Sequence, residues 1–216
     1  MTIFNEKISV IVRAKNEERW IGSCLFAIKH QDVSNVEVIL VDNESTDRTV
    51  DIAKSFGCKI VTIGDHEFNF SKALNKGIEH STGQLIAIIS SHCVPVNTQW
   101  LNNLRMHFVS PSIAATYGRQ EPLPDTPAAD KRDLWTTFGL DRKIQKKDYF
   151  FHNANSMLRR SLWEQVKFSE KIHGVEDRDW AKKMLQREYQ IVYEPLASVY
   201  HQHGINHNGN SERTVR

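Results

Sequence analysis

The chain has 216 residues, enough for one sizeable domain, and its 40% hydrophobic and 9% aromatic content supplies a packed core, which excludes a disordered chain. Lys+Arg number 28 and Asp+Glu 26, a net charge of +2 without the basic excess of a phosphate-backbone binder, so nucleic acid is excluded as the main partner. The longest apolar runs, Ile8–Val12 and Leu85–Ile89, are of strand length and fall well short of the ~20 residues that span a bilayer.

Two periods alternate through the first half of the chain. Ile8–Val12, Val36–Val41, Lys59–Ile63 and Leu85–Ile89 are short β-branched runs, the pattern of strands buried on both faces. Helical patterns lie between them. Glu18–His30 places Trp20, Ile21, Cys24, Leu25 and Ile28 on one face. Thr46–Phe56 opens on a Ser-Thr-Asp capping signature and stops at Gly57, and Ser71–His80 ends before Ser81-Thr82-Gly83. Strands alternating with helices through short links predict right-handed crossovers and a mainly parallel central sheet, an α/β fold. Ligands on such sheets bind beyond the carboxyl ends of the strands.

The second half is less regular. Trp100–Val109 reads as helix and Ser112–Tyr117 as strand. Arg119–Arg132 carries Pro122, Pro124 and Pro127 among charges, the composition of a loop or lid. Asn153–Leu158 reads as strand, Arg160–Val166 as a short helix and Asp177–Glu188 as an amphipathic helix. Ile191–Tyr193 and Ser198–His201 read as two short strands, and 204–216 as a polar, flexible tail behind a single domain over 1–203.

Asp42 closes an apolar strand one residue too early to cap the helix that follows, which marks it as a ligand-binding carboxylate rather than a cap. Ser45, Thr46 and Asp47 read as the cap. Arg13 to Glu17 follow the first strand and lie beside Asp42 if the two strands are neighbours. His201 and His203, two apart on a strand, share one face. Trp135, Phe138, Phe150, Phe151 and Trp163 suit an acceptor platform, although core packing is the simpler account, and Cys93 reads as a small buried residue.

These segments resemble family 2 glycosyltransferases, which have the GT-A fold. Val41-Asp42-Asn43-Glu44-Ser45-Thr46-Asp47 is similar to the Val-Asp-Asp-Gly-Ser-x-Asp signature of that family. The likeness continues through Ala73-Leu74-Asn75-Lys76-Gly77-Ile78, Thr82-Gly83 and Gly174-Val175-Glu176-Asp177, so it spans about residues 8–203. It implies an inverting enzyme that moves a sugar from a nucleotide-sugar donor to a hydroxyl of a saccharide or lipid-linked acceptor, in bacterial surface polysaccharide synthesis. By the resemblance Asp177 is the catalytic base with Glu176 assisting. Asp42, helped by Arg13, Asn16, Glu17 and Asn43, contacts the donor's base or ribose. Lys72, Ser91 and His92 lie at the diphosphate. Asn75 and Gly77 are structural.

The chain departs from the family where Asp-x-Asp normally holds Mg²⁺ or Mn²⁺, for here the strand is followed by Ser90-Ser91-His92-Cys93. Two readings follow. Either His92 remains a metal ligand together with His201 or His203, which favours Mn²⁺, or no metal is used and His92, Lys72 or an arginine stabilises the leaving diphosphate. Competing functions are a non-catalytic nucleotide-sugar binding module, suggested by the lost acids, and a sugar nucleotidyltransferase, opposed by the absence of glycine from Arg13–Glu18. The amino terminus has no export signal, and Cys24, Cys58 and Cys93 show no paired spacing. Both features predict a cytoplasmic protein with at most peripheral contact to the inner face of the membrane.

Overall fold

Alternating apolar patterns become nine strands of one sheet in the computed structural model, which describes residues 6–172 and 174–202. Strands β1 (Ile8–Ala14), β2 (Val36–Asp42), β3 (Lys59–Thr62) and β4 (Leu85–Ser90) pair in parallel in the order β3-β2-β1-β4. The remaining strands are β5 (Cys93–Pro95), β6 (Ile113–Pro122), β7 (Lys143–Gln145), β8 (Asn155–Arg159) and β9 (Gln190–His201). β8 enters antiparallel to β4, β6 lies antiparallel to β8 and parallel to β9, and β5 and β7 both run antiparallel to β9. The expected parallel pairing therefore describes the first half of the sheet, and the second half is mixed.

Seven α-helices cover this sheet: α1 (Ile21–Lys29), α2 (Thr49–Ser55), α3 (Phe70–Glu79), α4 (Trp100–Arg105), α5 (Ala128–Thr137), α6 (Arg160–Gln165) and α7 (Glu176–Gln186). Because side chains alternate along a strand, β1 serves two cores. Val10 and Val12 belong to one hydrophobic cluster with Leu25 of α1 and Leu101 of α4, while Ile11 belongs to the other with Leu74 and Ile78 of α3 and Trp180 of α7. Gly77 of α3 is required by that packing, since a Cβ there would fall 2.6 Å from Val41 and 2.7 Å from Ile11. Gly57 ends the α2 turn at a φ of +71°, which favours glycine.

Several expected boundaries shift for local reasons. The helix expected from Thr46 starts at Thr49, because Asp47 turns back to accept the Thr49 amide at 2.9 Å. The pattern begun at Glu18 is helix only from Ile21, since residues 15–20 form a loop over the sheet edge. Helix α3 begins at Phe70 on an Asn69 cap, whose side chain accepts from the Lys72 amide at 2.7 Å. The Trp100 helix ends at Arg105, and Met106–Val109 tightens into a 3₁₀ turn. The proline-bearing stretch is no open loop: β6 runs to Pro122 and α5 starts at Ala128. The two short carboxyl-terminal strands are one strand, β9, whose register against β6 shifts between Gly118 and Gln120. The sequence pattern missed β5 and β7, each three residues long and too short to show a period. The boundary at 203 and the tail at 204–216 lie outside the described residues.

Candidate active site

Register alone brings the first site residues together. Ala14 pairs with Asp42 and Arg13 with Ser90, so the ends of β1, β2 and β4 lie side by side. Beyond them opens a cavity of about 170 Å³ lined by Arg13, Glu17, Asn43, Phe70, Ser91 and His92, among others. Asp42 is buried, and its carboxylate accepts the Ser45 amide at 3.2 Å, which shapes the turn that follows β2. Asn16 clamps the neighbouring loop: its backbone is left-handed (φ 54°), its amide donates to Ser45 Oγ at 2.9 Å and its side chain accepts from the Thr46 amide at 2.8 Å. Asn43 is buried and its amide donates to the Ala14 carbonyl at 3.0 Å. Glu17 anchors its own amide on Thr49 Oγ1 at 2.7 Å and reaches His92 Nδ1 at 2.7 Å. A carboxylate can only accept, so Nδ1 carries the proton in that bond. His92 also lies against His201, ring centroids 5.2 Å apart and planes within 11°.

Arg13 joins this cavity to the acid pair. Its guanidinium lies 4.7 Å over the Phe70 ring, with Nε and Nη1 buried and without a hydrogen-bond partner. Burial lowers its pKa, while the charges of Glu176 and Asp177 act in the opposite direction. Those two acids stand in the first turn of α7. Burial raises the pKa of both. Arg13 pulls Glu176 back down, and for Asp177 the amides of Arg178 at 2.7 Å and Asn153 at 3.2 Å do so first. The carboxylates are thus desolvated yet held, and desolvation makes each a stronger base than an exposed carboxylate.

Two further residues sit in this neighbourhood without having been legible in the sequence. His152 pairs through Nδ1 with Gln120 at 3.1 Å, and burial depresses its pKa to about 4, so it is neutral at pH 7. Gln120 is fully buried with Oε1 unpartnered. The only available signal was their placement beside strand ends, since neither belongs to a motif.

Other expected residues lie elsewhere. Lys72 is not brought to this cleft but lines a second cavity of about 340 Å³ with Asn75, Lys76, Glu79, His80 and Glu170. Half a helix turn decides this, because α3 presents Ser71 and Asn75 inward and leaves Lys72 half-buried on its flank. Asn75 is structural as expected, binding the Trp163 indole at 3.1 Å and the Phe168 amide at 3.2 Å. Of the aromatic group, Phe138, Phe151 and Trp163 are buried in the core, Phe150 lies under Arg178 at 5.0 Å, and Trp135 is exposed. Cys93 is buried, with its thiol pKa raised by desolvation. His107 meets buried Glu194 at 2.8 Å, where Arg142 also arrives at 2.7 Å. His203 lies outside the described residues.

The donors at Ser91-His92 test whether a divalent ion fits. Hard ions select carboxylate and carbonyl oxygens, whereas the β4 turn offers serine hydroxyls and an imidazole, and the nearby Glu17 carboxylate is engaged by that imidazole. Among the described residues no three His, Cys, Asp or Glu side chains could hold a metal ion together. This set does not fit Mg²⁺.

Comparison with known proteins agrees with the geometry. The family described as "Glycosyl transferase family 2" matches residues 9–167. The chain is 28% identical over 209 residues to the O-antigen chain rhamnosyltransferase RfbN of Salmonella typhimurium, covering 91% of this chain and 67% of that protein. It is also 28% identical over 200 residues to Glycosyltransferase AglE of Haloferax volcanii, covering 86% of this chain and 64% of the other. Among solved structures, mannosyltransferase PcManGT from Pyrobaculum calidifontis, in complex with GDP-Man and Mn²⁺, superposes with a TM-score of 0.75 at 20% identity over 94% of this chain and 59% of that one. TarS 1-349 of S. aureus gives 0.69 at 18% identity over 91% and 60%. The likeness shows the expected GT-A fold in a single α/β domain. The chain spans about two thirds of the length of these curated relatives and about three fifths of these structures.

Proposed function

The chain belongs to glycosyl transferase family 2, and from that premise we propose that it transfers a sugar, with inversion, from a nucleotide-sugar donor to a saccharide or lipid-linked acceptor. The single observation that carries the reading is the meeting of Arg13 with both halves of the site: it lines the cavity of Ser91 and His92, and its charge is coupled to Glu176 and Asp177. Donor and base thus have adjoining places.

In this reading Asn43 and the Glu17–His92 pair border the donor, and Asp42 holds the turn that cradles the nucleoside. Asn16 acts through the loop it clamps rather than by direct contact. Asp177 accepts the proton of the acceptor hydroxyl as that oxygen attacks the anomeric carbon. The glycosidic bond forms, the bond from the anomeric carbon to the donor phosphate breaks, and its electron pair leaves on the nucleoside diphosphate. Glu176 orients the acceptor. Relatives named for O-antigen rhamnosyl transfer support a role in bacterial surface polysaccharide synthesis, with residues 1–203 as the transferase domain working at the cytoplasmic face of the membrane. No helix among the described residues is long and apolar enough to cross a membrane. PcManGT binds GDP-Man, and TarS has been crystallised with UDP and UDP-GlcNAc, which supports a nucleoside-diphosphate sugar as donor.

The test is a panel of UDP-, GDP-, dTDP- and CMP-sugars offered with saccharide and lipid-linked acceptors, with and without EDTA. Glycosylated acceptor is the expected product. Donor binding without transfer to any acceptor would identify a binding module instead, and pyrophosphate release from a nucleoside triphosphate plus sugar phosphate would identify a nucleotidyltransferase.

A further inference from the structure

We propose that the guanidinium of Arg13 is the resident cation of the cleft and binds the donor's diphosphate in the role that carboxylate-held metal would otherwise fill. The inference rests on the transferase reading above and assigns the chemistry of the leaving group within it.

Three observations converge. Nε and Nη1 of Arg13 are buried without a hydrogen-bond partner, and an unmet buried donor is costly unless a ligand satisfies it. Arg13 pairs in register with Ser90 and lines the same cavity as Ser91 and His92, so these donors lie where metal-binding acids would stand. The Phe70 ring beneath the guanidinium, at 4.7 Å, fixes its plane without using its N–H groups.

The competing cations are placed otherwise. Lys72 lines the second cavity, and Lys15, at the cavity rim, is paired with Asp65. The charges of Glu176 and Asp177 favour the ionised guanidinium against the cost of burial. A planar fork of N–H donors matches two phosphate oxygens at once, which an ammonium cannot do. When the bond from the anomeric carbon to phosphate breaks, the electron pair remains on the phosphate oxygen and negative charge grows there. A cation already fixed at that point stabilises it without reorganisation.

The experiment is isothermal titration in EDTA of UDP, GDP and dTDP, each beside its nucleoside monophosphate, on the wild type and on Arg13→Gln and Arg13→Lys. The wild type should bind its preferred diphosphate about tenfold tighter than the matching monophosphate, as a charge-assisted bidentate contact gives. Arg13→Gln should bring that ratio close to one, with an unchanged circular dichroism spectrum and melting temperature reporting an intact fold. Arg13→Lys should retain part of the ratio. If Arg13→Gln does not fold, Phe70→Leu, which removes the floor under the guanidinium, should lower the ratio instead. A ratio unchanged in these variants, or one that appears in the wild type only when Mn²⁺ is restored, overturns the role of Arg13 and leaves the transferase reading standing. Failure of the wild type to bind any nucleotide overturns both.

Discussion

The His92 ring and the Glu17 carboxylate meet at 2.7 Å across 75 positions of sequence, joining the loop after β1 to the turn after β4. The bond sets which imidazole nitrogen carries the proton and holds the ring at the cavity wall. Glu17→Ala should raise the donor KM by roughly tenfold, the cost of a hydrogen bond to a charged group, with a smaller change in kcat. Glu17→Gln should recover most of the loss, since its amide oxygen still accepts the Nδ1 proton. Steady-state kinetics on the three proteins checks this, and equal KM values would mean that the pair is only structural.

Asp177 accepts one backbone amide on each carboxylate oxygen, so Asp177→Asn keeps the shape and one of the two bonds while removing the base. Asp177→Asn should reduce turnover by about 10²–10⁴, the usual worth of a general base, while donor affinity stays near the wild-type value. Near wild-type turnover would move the base elsewhere, with Glu176 the first alternative. Separate measurements of donor Kd and kcat decide the matter.

Burial raises the pKa of both Glu176 and Asp177 from their ordinary values. A base works ionised, so kcat/KM should fall as pH drops through the raised value, placing the acid limb above the ~4 of an unperturbed carboxylate. The same sign makes these two groups a mild liability for folding: their contribution to stability declines as pH rises from the unfolded pKa through the folded one. A pH–rate profile with its acid limb at or below ~4 would contradict the shift.

Glu37 has the opposite sign. Desolvation raises its pKa, but bonds from Ser9 Oγ and the Thr82 amide, both 2.6 Å, and from Lys7 outweigh that and hold it at about 2. Its stabilisation is present above the unfolded value of ~4.3 and is lost as pH falls from there towards the folded one. Glu37→Gln should lower stability at pH 7, by less than the full shift implies because water screens this partly exposed group, and flatten the fall in stability below pH ~4. Urea midpoints followed against pH measure both.

The β-branched runs carried the strand-helix order of residues 8–90, because β1 and β4 are buried on both faces and read as nearly unbroken apolar segments, whereas β3, at the sheet edge, exposes Lys59 and Thr62. That order, with the strand-end rule, was enough to mark Asp42 as a site residue, while Arg13 joined it only once β1 and β2 proved neighbours and Ser91 was placed by the family resemblance. The helix start at Glu176-Asp177 was likewise legible, from its apolar spacing and its acids. The tertiary structure decided what depends on pairing and rotation rather than on local pattern. It made one strand of Gln190–His201, so that His201 lies beside His92, and it turned Lys72 onto the flank of α3, away from the cleft. It also left the unspent donors of Arg13 in the lining of the His92 cavity, within the electrostatic reach of Glu176 and Asp177. One-dimensional periodicity tells which residues share a face, but the partner across that face is chosen by packing among segments far apart in the chain.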